Sequence, residues 1–182
     1  KVPGRRGASA YELDFILPRP QGSLQPLVGI GDSGAQRAGL YAQIADFPDG
    51  TVQAGTNVRI SVNISDPSER DETDIRFQEP IALGVEFMKF QGAGDVTFTR
   101  HPDTVVAENP YGEDDPRFRF FREPKANSTE VDGPGGIGQV FVSFSEAGEY
   151  IISAKVTQHR APDSSNGDQC CWTNVYQRVT VR

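Results

Sequence analysis

An all-β antiparallel sandwich is the fold class this sequence predicts, and three observations predict it. Short segments alternate apolar and polar residues with the two-residue period of a half-buried strand. Turn formers separate them: 19 glycines and 13 prolines fall within 182 residues. No segment favours a helix. Ala35 to Ala45 comes nearest, with Leu40, Ile44 and Phe47 in rough helical spacing, but Gly39 and the alternation of Leu40, Ala42 and Ile44 favour a strand there.

The elements follow in order. Tyr11 to Leu17 is an edge-strand candidate inside a Pro- and Gly-rich stretch, 1–50, read as an irregular N-terminal extension. The patterned domain, 51–182, opens with a strand over 57–64. There Val58, Ile60, Val62 and Ile64 face one way, and Asn57, Arg59, Ser61 and Asn63 the other. Asp66-Pro67 ends it, because proline donates nothing to a ladder. Ala82 to Phe90 is the next strand, with Leu83, Val85, Phe87 and then Lys89 on one face. The turn at 91–94 leads to a short strand over 95–99. Residues 100–136 read as a long inserted loop broken by five X-Pro steps, with Arg117 to Phe121 as one edge strand and Gly133 to Gly138 as a flexible connector. Alternation returns over 138–144, 149–157 and 174–182. In the last of these Val175, Gln177, Val179 and Val181 oppose Tyr176, Arg178 and Thr180. Strands of five to nine residues without intervening helices give an antiparallel sandwich.

The segment Leu83-Gly-Val-Glu-Phe-Met-Lys-Phe-Gln-Gly-Ala-Gly-Asp-Val-Thr-Phe98 and the corner Phe144-Ser-Glu-Ala-Gly-Glu-Tyr150 resemble PKD-like bacterial immunoglobulin-like repeats. Phe87 stands where those carry Trp or Tyr, and Ala147 where they carry Pro. The resemblance spans roughly 51–182, and its C-terminal part is similar to uncharacterised exported bacterial proteins. It implies an immunoglobulin-like sandwich and a periplasmic or extracellular location. It also gives Tyr150 a tyrosine-corner role, with a buried ring and a hydroxyl satisfied at the turn.

Composition narrows the function classes. A net charge of -7 disfavours nucleic acid and anionic lipid as partners. No apolar run approaches the ~18 residues of a membrane helix. The chain opens on Lys1 without a leader, as a processed exported chain would. No Gly-x-Ser-x-Gly, His-Glu-x-x-His or phosphate loop occurs, so the chain reads as non-catalytic, with no resident cofactor.

Cys170 and Cys171, the only cysteines, are adjacent and cannot staple distant strands. A vicinal disulfide is the favoured state, against two free thiols or sulfur held by a metal or partner. Five carboxylates within 66–74 make calcium a candidate ligand, through Asp66, Asp71 and Asp74 with Asp163 and Asp168 from a second loop; the alternative is a solvated charged loop. Trp172 is expected to pack into the sandwich or over the cysteine pair. Trp172, Tyr176, Tyr111 and Phe118 are the aromatic candidates for a ligand or partner contact. Asn63 and Asn127 open glycosylation sequons, read as chance matches. The functional expectation is an accessory or structural subunit of an exported bacterial assembly, contacting protein partners through the N-terminal arm and the 100–136 insertion. The alternative is an extracellular module for carbohydrate or another small ligand, assisted by calcium.

Overall fold

The computed structural model describes residues 25–39, 42, 44–46, 51–75, 78, 81–106, 108–158 and 172–182. Among these residues nine strands form two sheets: β1 (Leu27–Ile30), β2 (Ile44–Asp46), β3 (Val58–Ser65), β4 (Leu83–Gln91), β5 (Val96–Arg100), β6 (Ser128–Val131), β7 (Gly135–Phe144), β8 (Gly148–Thr157) and β9 (Trp172–Val181). One sheet runs β1-β3-β7-β5 and the other β2-β9-β8-β4-β6. With β1, β3, β7 and β5 taken as strands A, B, E and D, and β9, β8 and β4 as G, F and C, the order is that of an immunoglobulin constant-type sandwich. All pairs are antiparallel except β2 with β9.

The alternating segments form strands because each presents one apolar row to the opposite sheet. Ile60, Val62 and Ile64 of β3, Val140, Val142 and Phe144 of β7, and Leu83, Val85 and Phe87 of β4 are buried in one core. They meet Tyr150, Ile152, Ala154 and Val156 of β8, and Val175, Val179 and Val181 of β9. Burying each large side chain of this set stabilises the fold by about 1.5–3 kcal/mol. Lys89 keeps the inward register, opposite Ile152, but sits at the end of the sheet and turns its ammonium to the Gly94 carbonyl.

The expected tyrosine corner is present. The Tyr150 ring is fully buried, with the Phe144 ring centroid 4.8 Å away. Its hydroxyl donates to the Glu146 carbonyl at 2.9 Å and accepts from the Gly94 amide at 3.0 Å. Gly92, at φ +149°, lies flat against the ring, where a Cβ would overlap the ring atoms.

Four sequence readings are corrected. Residues 117–121 are not an edge strand: Phe118–Phe120 form a single 3-10 turn. The Asp115 carboxylate accepts the Arg117 amide and the Asp115 carbonyl accepts the Phe118 amide, which closes the chain into a turn before any ladder forms. Gly135 to Gly138 is not a connector but the start of β7, paired with β3 from Ser65 to Val62. Glycine is needed at 138 because a Cβ would press on Val85 and Thr129 of the facing sheet. The inserted segment contains β6, which pairs with β4. Finally, part of the N-terminal 50 residues belongs to the sandwich: β1 pairs with β3, and β2 runs beside β9. The candidate strand over 11–17 lies outside the described residues.

Candidate functional site

The two outer faces of the sandwich differ in chemistry. On the four-stranded sheet, the outward residues of β3 are polar, and the 31–36 segment is fastened over them. Ser61 donates to Asp32 at 2.5 Å, and Arg59 contacts the same carboxylate at 3.0 Å and Gln139 at 3.1 Å. The Asn63 amide donates to the carbonyls of Gly31 and Gly34, each at 3.0 Å, and Ser65 donates to Gln36 at 2.7 Å. The Ser61 hydrogen bond holds the Asp32 carboxyl below its ordinary range, with burial opposing and Arg59 assisting. Asn63 is therefore a latch residue. Asn127, the other sequon asparagine, spends its amide on the Phe87 carbonyl at 2.7 Å.

The outer face of the five-stranded sheet carries an apolar band. Register places Ile44, Tyr176, Ser153 and Met88 in one row across β2, β9, β8 and β4. Phe90 sits beside the row at the β4 irregularity, its ring centroid 5.0 Å from that of Tyr176 in an edge contact. Ile44, Met88 and Phe90 are 48%, 38% and 60% exposed. The next row, two residues along each strand, is polar: Asn174, Lys155 and Glu86. Beyond it a cleft of about 500 Å³ opens between the sheet and the 100–125 loop. Glu86 and Lys155 line it from the sheet, Ser128 and Glu130 from β6, and Arg100, Val106 and Arg122 from the loop side.

The aromatic candidates divide between two places. Trp172 and Tyr176 share the outer face of β9. Trp172 is only partly buried and does not enter the core; the Lys155 ammonium lies 5.4 Å from its ring centroid. The inward neighbour is Thr173, fully buried and donating to the Pro26 carbonyl at 2.6 Å. Tyr111 and Phe118 lie in the loop. The Arg117 guanidinium sits 4.4 Å over the Tyr111 ring and is held by Asp115 at 2.8 Å. Ile44, Met88, Phe90 and Lys155 were not singled out from sequence. The signal was available in β4, where apolar residues fall on outward as well as inward positions.

The acidic candidates are used locally. The Asp66 carboxylate is nearly buried against the Arg70 guanidinium at 2.5 Å and also accepts the Ser68 amide. Asp71 accepts the amide and hydroxyl of Thr73, which hold its carboxyl below the ordinary range. Asp74 closes the same turn through its amide. A cation at Asp66 would have to displace Arg70. Among the described residues no group of three His, Cys, Asp or Glu side chains is placed to hold a metal. Cys170, Cys171, Asp163 and Asp168 lie outside the described residues. No helix among those residues is long and apolar enough to cross a membrane.

No family model matches the chain, and no curated protein matches it. Solved structures that are similar at a low TM-score include the following two. The N-terminal domain of PorA shares 12% identity at a TM-score of 0.38, over 85% of this chain and 97% of that one. The seventh PapD-like (ASH) domain of human CEP192 shares 11% at 0.36, over 92% and 94%. The fold assignment rests on the strand order of the chain itself: an all-β, immunoglobulin-like sandwich.

Proposed function

We propose that this chain is a non-catalytic module of an exported bacterial assembly that docks a protein partner on the outer face of the five-stranded sheet. The observation that supports it is the exposed apolar band of Ile44, Met88 and Phe90 around Tyr176. Contiguous apolar surface on an otherwise charged chain is the usual mark of an interaction site. The band replaces the N-terminal arm and the 100–136 insertion as the main contact, with the insertion at its border. A carbohydrate-stacking role has less support, because Tyr111, Trp172 and Tyr176 each already meet a protein group.

Photo-crosslinking in the native host tests this. A photoreactive residue at position 88 or 90 should give discrete higher-mass adducts in the exported fraction. The same residue at Thr97 or Thr99, on the outer side of β5, should give none. Equal adducts from both faces, or none from 88 and 90, would remove the proposal.

A further inference from the structure

We infer that the cleft beside the apolar band binds an acidic segment of the partner protein, an inference that rests on the docking reading above and names the partner's chemistry. The first argument is charge. The chain carries -7 overall, yet this cleft is lined by four cations, Arg100, Arg122, Lys125 and Lys155, against three carboxylates, Glu86, Glu123 and Glu130. Arg100 pairs with Glu123 at 2.9 Å and Lys125 with Glu86 at 3.2 Å. Arg122 and Lys155 are in neither pair. Arg122 donates only to backbone, to the carbonyls of Arg119 at 2.7 Å and Phe121 at 3.0 Å. Lys155 is half-buried and faces the Trp172 ring. Among the described residues neither meets a carboxylate. An ammonium held only by a ring gains less from it than from a charge-assisted hydrogen bond to a carboxylate.

The second argument is continuity. Lys155 lies in the row next to Met88, Ser153 and Tyr176, two residues along the strand, so about 7 Å away. A partner chain that seats an apolar side chain against Met88 and Phe90 therefore brings a residue two positions along within reach of the Lys155 ammonium. Val106 and Pro124 give the cleft an aliphatic wall for the side chain between. A polyanionic lipid surface or nucleic acid would meet the net negative charge of the rest of the chain, whereas a single acidic stretch meets only the cleft. The ligand class is thus a short peptide segment with aspartate or glutamate beside an apolar anchor.

Selection of displayed random dodecapeptides on the full chain supplies the probe. The enriched peptides should carry Asp or Glu two to four residues from an aromatic or aliphatic residue. The best peptide, titrated by fluorescence anisotropy, should lose at least tenfold in affinity to Lys155→Glu and to Arg122→Glu. It should keep its affinity for Lys155→Arg and weaken between 50 and 300 mM salt, as a charge contact must. Circular dichroism melts confirm that the variants fold. No enrichment, enrichment without acidic residues, or unchanged binding to Lys155→Glu would overturn the inference. So would binding of a polyuronate in place of peptides. If Phe90→Glu abolishes binding while Lys155→Glu does not, the docking face stands and the acidic-segment inference falls. If neither variant changes binding, both fall.

Discussion

Tyr150→Phe removes one oxygen atom from the centre of the fold, and its cost can be worked from the contacts. The ring keeps its packing against Phe144 and Gly92, so no cavity opens. Two hydrogen bonds are lost, the one accepted from the Gly94 amide and the one donated to the Glu146 carbonyl. Glu146 is exposed in the turn, and water can replace its lost donor. The Gly94 amide is different: its bond to Tyr150 is buried, and phenylalanine leaves the N–H unmet. An unmet buried donor costs about 1–3 kcal/mol, and a part-buried bond that water replaces costs much less. The expected loss is therefore about 2 kcal/mol, a drop of about 4–8 °C in melting temperature for a chain of this length. Urea unfolding followed by Trp172 fluorescence measures it, since that is the only tryptophan. The slope against urea should not change, because the buried area does not. A loss below about 0.5 kcal/mol would show that the corner is not held by its hydroxyl.

Two further outcomes test the parts of the sandwich contributed by residues 25–36. The Asp32 carboxyl is held below its ordinary range in the folded chain. Its contribution is therefore full above the unfolded value near pH 4 and is lost as pH falls below that toward the lowered folded value. The difference in urea midpoint between the native chain and Asp32→Asn should be present at pH 6 and shrink by pH 3; a constant difference would refute the latch. Thr173→Val keeps the side-chain shape but strips the buried Pro26 carbonyl of its donor. It should cost about 1–2 kcal/mol at unchanged slope, and a neutral result would mean that the entry to β1 is not anchored there.

What could be read from sequence follows from where strand identity resides. β3 has an inner face and an outer face of contrasting polarity, and β8 and β9 carry a largely apolar inner row, so the alternation of Val58 to Ile64 or Val175 to Val181 carries its own register. The tyrosine corner was legible because Gly148 and Tyr150 sit at a fixed offset in the turn. β1, β2 and β6 are three or four residues long, and Ser128-Thr-Glu-Val131 has no local pattern to announce a strand. These become strands because a longer neighbour offers an unpaired edge. The opposite holds at Arg117 to Phe121, where alternation is present but no neighbouring ladder meets it and the turn closed on Asp115 wins. The site was half legible. Tyr176 and Trp172 were named for chemistry, but Lys155 and Ile44 join them only through pairings distant in sequence.

The contrast between the two outer faces also bears on what the apolar band is for. A sheet face covered by its own chain would bury most area if its outward residues were apolar, and an uncovered face would lose least if they were polar. Here the arrangement is reversed among the described residues. The covered face bears Arg59, Ser61, Asn63 and Ser65, each matched to a hydrogen-bonding group of the 31–36 segment. The open face bears Ile44, Met88 and Phe90, the last 60% exposed and so gaining little from folding. Folding free energy accounts for the first choice, since directional bonds fix the register of an irregular segment that has little apolar surface to bury. It does not account for the second. Replacing Phe90 by a polar residue forfeits little beyond its edge contact with Tyr176, about 0.5–1.5 kcal/mol. Under the docking proposal, a partner that covers the apolar band supplies the gain that folding within the described residues does not.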